Sequence, residues 1–172
     1  LKAFDAISKI SRFPVTVKTR IQDEQDPAPT VKFVKMLEDA GAQAVTIHGR
    51  IRKAFYSGPV FHDIISAVRE NVNIQIIANG GIMDLTSYNK LRAESGCSCV
   101  MLARGAMGNP WLFKEIAEGH AIIPSPGELC DEMRRHIMHM VGYYGEFLAM
   151  KIARKIVLDY LKGRGYPRSI KC

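Results

Sequence analysis

The sequence predicts an α/β fold: half of a (β/α)8 barrel made of four strand-helix units, followed by a small all-α helical segment. Three observations carry this. Four short apolar runs rich in β-branched residues recur along the chain, at 14–18 (PVTVK), 44–48 (AVTIH), 74–79 (IQIIAN) and 99–104 (CVMLAR). Each is followed by helical periodicity, and runs apolar on both faces joined by helices imply a parallel sheet with right-handed connections. Beyond a Pro/Gly-rich link at 122–128 (IIPSPGE) only helical periodicity remains.

The elements follow in order. After the first strand, Val31, Val34 and Leu37 share a helical stripe stopped at Gly41. After the second, Ile64, Ile65 and Val68 lie on one side of a helix. After the third, Asp84 is placed to cap a helix carrying Leu85, Tyr88 and Leu91 that ends at Gly96. After the fourth, Asn109 and Pro110 read as cap and first turn of a helix running to Gly119. In the last segment Leu129, Met133, Ile137, Met140 and Tyr144 share one face, and Ile152, Ile156 and Tyr160 another, which is the pattern of a helical hairpin. The expected division is a half-barrel over residues 1–121 and a helical domain over 122–172.

Composition narrows the function classes. The 172 residues are 47% apolar and 24% charged, within globular limits. No apolar run approaches the roughly 20 residues needed to span a bilayer, and Leu1 opens no signal peptide, so a soluble cytoplasmic protein without membrane contact is expected. The chain reads as a piece of something longer. Cys97, Cys99, Cys130 and Cys172 form no CxxC pair and no zinc spacing, and Cys97 and Cys99 are expected to be buried structural thiols. The net charge of +7 is uneven: Lys151, Arg154, Lys155, Lys162, Arg164, Arg168 and Lys171 face Asp159 alone in the last stretch. Lys151, Arg154, Lys155 and Lys162 fall on one helical stripe, suited either to a phosphodiester backbone or to plain solvation. His136 and His139 stand three apart without a companion carboxylate or cysteine pair, so no metal site is expected.

In a parallel barrel the strand C-termini share one rim, which carries the active site. Lys18, His48, Asn79 and Arg104 are the polar residues expected to close the four strands. The turns Asn79-Gly80-Gly81 and Arg104-Gly105-Ala106-Met107-Gly108 are glycine-rich, so backbone N–H groups there can converge on a phosphate, with Arg104 as a charged partner. The last two strands of such a barrel are the usual place for a phosphate site. Lys18 and His48 are cationic or polar donors fit for the pyrimidine edge of a flavin.

Taken in order, PVTVKTR (14–20), VTIHGR (45–50) with Tyr56-Ser57-Gly58, IIANGGI (76–82) and VMLARGAMGNPWLF (100–113) resemble the second half of the tRNA-dihydrouridine synthase family. The helical stretch GYYGEFLAMKIARKIVLDYLKG (142–163) is similar to the bacterial B-type members. The resemblance implies FMN as cofactor and NADPH as reductant. It implies contact of Lys18 and His48 with the flavin ring, and of Asn79, Gly80, Gly81, Ala103 and Arg104 with its phosphate. It implies tRNA as partner, contacted by Arg50, Lys151, Arg154, Lys155 and Lys162.

Departures are also visible. Ala103 stands where the family often has glycine, Cys99 where glycine is common, and His62 where many members have tryptophan. The family's catalytic cysteine, a general acid in an Asn-x-Gly-Cys-Pro motif of the first half, has no counterpart here. The missing N-terminal half of the same protein is the expected source of that residue, and this chain alone is expected to be inactive. Two other readings are a small-molecule FMN oxidoreductase or phosphate-binding barrel enzyme, and a non-catalytic RNA-binding module.

Overall fold

The computed structural model describes residues 2–166. Arg168, Lys171 and Cys172, which entered the charge and cysteine readings, lie outside the described residues. The helix α1 (Lys2–Ile10) is followed by β1 (Thr16–Arg20), α2 (Ala28–Asp39), β2 (Ala44–His48), α3 (His62–Asn71), β3 (Gln75–Asn79), α4 (Leu85–Ser95) and β4 (Cys99–Met101). Three helices complete it: α5 (Leu112–Glu118), α6 (Pro126–Tyr144) and α7 (Glu146–Leu161). The four strands form one parallel sheet in the order β1-β2-β3-β4. This α/β arrangement is consistent with part of a TIM barrel. Among the described residues no helix is long and apolar enough to cross a membrane.

The chain forms two compact units. Among the described residues, the first spans 2–82 with Thr86–Leu102, and the second Met83–Leu85 with 103–166. In the first unit the sheet's outer face is sealed by helices. Val45, Ile47 and Ala78 are wholly buried, as are Val34 of α2 and Ile65 and Val68 of α3. Burying side chains of this size contributes about 1.5–3 kcal/mol each, enough to hold the helices on the sheet. Across the chain direction, the Glu38 carboxylate accepts from the backbone N–H groups of Asn73 (2.7 Å) and Ile74 (3.1 Å), tying the end of α2 to the turn before β3.

In the second unit α6 begins with a capping box. Ser125 Oγ accepts from the Glu128 backbone N–H at 3.3 Å, and the Ser125 backbone N–H donates to the Glu128 carboxylate at 2.8 Å. Gly145, at φ 75°, turns the chain between α6 and α7, which pack together. Leu129, Tyr160 and Leu161 are buried in a cluster ringed by Trp111, Met133, Ile156 and Val157. Tyr144, expected on the apolar face of α6, is half-exposed because the helix ends there.

One helix start and two strand ends differ from the sequence reading, β1 ending at Arg20 instead of Lys18. The helix α5 starts at Leu112, after Asn109 and Pro110 have formed a turn in which Leu112 N–H donates to the Asn109 carbonyl at 3.2 Å. Pro27 precedes α2 with helical φ and ψ instead of a side-chain cap. The strand β4 stops at Met101, so Arg104 does not close a strand; it opens a 3-10 turn at Arg104–Ala106.

Candidate functional site

Register decides what the first unit can present. Parallel pairing sets Arg20 opposite His48, His48 opposite Asn79, and Asn79 opposite Met101. Lys18 pairs with Thr46, two residues deeper, and strand alternation gives it the same sheet face as Arg20, His48 and Asn79. Arg20, not Lys18, is therefore the residue that ends β1, because the strand runs two residues past the apolar pattern. Lys18, Arg20, Ile21, Gln22 and Arg52 line an open cleft of about 550 Å³. Burial pushes the Lys18 ammonium below the ordinary lysine range, and the neighbouring Arg20 charge pushes it the same way. Lys18 is thus a cation whose positive charge the fold disfavours, which suits a group meant to meet negative charge.

His48 is buried, with 5% of its surface exposed. The Arg50 guanidinium Nη1 lies 3.4 Å from His48 Nε2, so the two side chains are held together inside the unit. Gly80 follows at φ 128°, and a Cβ built there would stand 2.8 Å from His48 Cδ2. The glycine is thus needed both for its backbone angle and so that the turn can lie flat on the imidazole. Asn79, also buried, donates from Nδ2 to the Met101 carbonyl at 2.7 Å, joining the ends of β3 and β4. Gly81 continues the turn at φ 72° beside Val60.

Arg50, expected among the RNA-contacting cations, is 7% exposed. Its Nε and Nη2 donate to the Gly58 carbonyl at 3.1 and 2.9 Å. The side chain braces the 51–60 loop from inside. Arg20 braces the same loop, donating from Nη1 to the carbonyls of Ile51 (3.2 Å) and Phe55 (2.7 Å) and lying 5.7 Å from the Tyr56 ring centre. Sequence reasoning passes over Arg20; its place opposite His48 can be read only from the pairing register.

The second unit carries Ala103 and Arg104, both exposed, at the start of the 103–110 loop. The loop is pressed against α7. A Cβ on Gly108 would fall 2.3 Å from the Asp159 backbone carbon and 2.5 Å from the Tyr160 nitrogen, so any side chain here would push the loop away from α7. Arg164 reinforces the junction, donating to Asn109 Oδ1 at 3.2 Å and to the Tyr160 carbonyl at 2.9 Å, with its guanidinium 5.3 Å from the Trp111 ring centre. An open cleft of about 520 Å³ lies between this loop and α6, lined among others by Ala106, Met107, Arg135, His136 and Tyr160. His136 Nδ1 is 3.3 Å from the Tyr160 hydroxyl.

The basic residues of α7 stand outward. Lys151, Arg154 and Lys155, with Lys162 just past its end, are exposed. Lys155 pairs with Asp159 at 2.6 Å, and the Lys151 ammonium lies 4.1 Å from the Phe147 ring centre. The cysteines divide: Cys97 is buried, and burial pushes its thiol pKa up, whereas Cys99 and Cys130 are exposed. The expectation that Cys99 is a buried thiol is therefore corrected, because it opens β4 at the uncovered edge of the sheet.

Similarity to known proteins identifies the family. A probable tRNA-dihydrouridine synthase of Rickettsia prowazekii is 36% identical over 99% of this chain and 54% of its own length. The tRNA-dihydrouridine synthase B of Proteus vulgaris is 38% identical over 87% of this chain and 48% of its own length. The chain thus spans about half the length of the curated relatives it matches. Among solved structures, a mandelate oxidase variant with benzoyl-formic acid aligns over 92% of this chain and 67% of its own at 14% identity and a TM-score of 0.46, a likeness too slight to carry an argument. The family model described as dihydrouridine synthase matches residues 2–171, and the chain belongs to that family.

Proposed function

We propose that this chain is the cofactor-holding second half of an FMN-dependent tRNA-dihydrouridine synthase, acting in the cytoplasm on the C5–C6 bond of a uridine in tRNA. The observation that carries the reading is the register that sets His48 level with Asn79, above Lys18 on one sheet face, in a chain of this family. FMN, when bound, supplies the hydride carrier between NADPH and the pyrimidine.

The chain's own residues have separable tasks. Lys18 and His48 would meet the flavin ring: Lys18 as a cation whose charge the fold raises in energy, His48 as a buried imidazole beside the Arg50 guanidinium. A donor set of this kind favours negative charge on the pyrimidine edge it faces. Asn79, Gly80 and Gly81, with Ala103 and Arg104, are assigned to the phosphate, Ala103 through its backbone N–H alone. Lys151, Arg154, Lys155 and Lys162 are assigned to the tRNA backbone, where each engaged cation adds salt dependence. Arg50 is assigned instead to holding His48 and the 51–60 loop. The uridine must leave its stack to be reduced, and a cysteine from the rest of the protein would protonate it, so this chain alone is inactive.

Dihydrouridine in tRNA from a strain lacking the full gene tests the reading. A position that loses the modification supports it; tRNA that keeps its full dihydrouridine content, with no redundant enzyme in the strain, refutes it.

A further inference from the structure

The α6–α7 turn exposes aromatic surface that the cofactor and backbone assignments leave unused. Tyr143 and Phe147 are 82% and 78% exposed, and Tyr144 is half-exposed. Gly145 lets α6 stop and α7 start within one residue, so Tyr143, Tyr144 and Phe147 all fall within two positions of the turn. Tyr143 and Tyr144 stand edge to face with ring centres 4.8 Å apart. Lys151 Nζ covers the Phe147 ring at 4.1 Å.

Phe147 does not sit apart from the basic stripe. Counting along α7, Phe147, Lys151, Arg154, Lys155 and Leu158, with Lys162 beyond, fall within roughly 100° of helical arc. The acidic residues of α7 are Glu146, at its start, and Asp159, already paired with Lys155. A cationic track headed by exposed flat rings is complementary to a polyanion that also offers flat apolar faces. Exposed aliphatic groups alone would not discriminate in this way, but an aromatic ring stacks on any nucleobase.

We propose that Tyr143 and Phe147 form a stacking platform for an unpaired base of the RNA, at the head of the phosphate track on α7. This rests on the tRNA reading above and adds a base contact to it. The platform accepts a nucleobase that is already out of its helix, so it favours RNA with single-stranded loops over continuous duplex.

The test uses the full-length protein, bulk tRNA and a perfectly paired RNA duplex, with binding measured across salt concentrations. Phe147→Ala and Tyr143→Ala are expected to weaken tRNA binding about five- to a hundredfold, the span of base stacking on an aromatic ring, without changing the salt slope. Binding of the duplex should not change. Lys151→Ala with Lys155→Ala should instead weaken both RNAs and flatten the slope by about 0.7–0.9 for each phosphate no longer neutralised. Phe147→Trp should bind tRNA as tightly as the parent and Phe147→Leu should not. Normal tRNA binding by Phe147→Leu, or equal losses on tRNA and duplex, overturns stacking. If the cation variants lose affinity and the aromatic variants do not, the platform is refuted and the RNA reading stands. If neither set loses affinity, the RNA reading falls and the platform with it.

Discussion

Replacing Gly108 by alanine tests whether the 103–110 loop depends on α7. Two costs act there. At φ 70° the residue occupies left-handed backbone, which costs a non-glycine residue about 1–2 kcal/mol. The added Cβ would also fall within 2.3–2.5 Å of Asp159 and Tyr160 backbone atoms, which cannot swing aside as a side-chain tip can. Forcing atoms into a packed contact of this kind costs about 1–3 kcal/mol. Gly119 is a matched reference: its φ is 75° and its Cβ would meet nothing within 4 Å. Gly119→Ala carries the backbone cost alone, and both variants gain the same reduction of unfolded-chain entropy, about 0.4–1 kcal/mol. Gly108→Ala should therefore be less stable than Gly119→Ala by about 1–3 kcal/mol, read as the difference in urea midpoint at constant slope. Equal midpoints for the two variants would refute the close approach of loop and helix.

Three further outcomes follow from the same structure. Ser125→Ala removes the α6 cap and should cost about 1 kcal/mol. The Ser125 backbone N–H, and after it the Ser125 hydroxyl, hold the Glu128 carboxyl below its ordinary value, so the stability it adds is present above the unfolded carboxylate pKa and is lost as pH falls through the lower folded value; a parent whose acid unfolding curve matches that of Glu128→Gln in this window contradicts it. Alkylation at pH 8 followed by peptide mass spectrometry should label Cys99 and Cys130 in the native protein and Cys97 only after denaturation; native labelling of Cys97 at the same rate would show the core is not closed there. Arg50→Lys loses the paired donation to the Gly58 carbonyl, so trypsin should cut faster after Arg52 and Lys53, and unchanged cleavage would show that Arg50 does not brace the loop.

The repeat of β-branched runs and amphipathic stretches makes the parallel sheet legible in the sequence, because each strand is short and sealed by the helix that follows it. Strand ends are less legible. Thr19 and Arg20 continue β1 although neither is apolar, since pairing with β2 and the carbonyls of the 51–60 loop, not burial, hold them in place. The 99–104 run contains only three strand residues because the backbone at Ala103 turns away at φ −142°, ψ −98°. Arg50 reads as a surface cation because a sequence does not show that a loop carbonyl eight residues on will claim it. The family pattern is recognisable from its motifs, whereas the Gly108 contact with α7 joins residues some fifty positions apart and leaves no local signal beyond the glycine itself.

Whether this chain's residues hold a flavin is the point on which the functional reading turns. Purified full-length protein, denatured and assayed for released FMN by absorbance and mass spectrometry, should contain close to one FMN per chain, and Lys18→Ala and Arg104→Ala should each retain markedly less while keeping the parent's circular dichroism. Full-length protein that carries no flavin and takes up none from excess FMN would contradict a cofactor site at these residues.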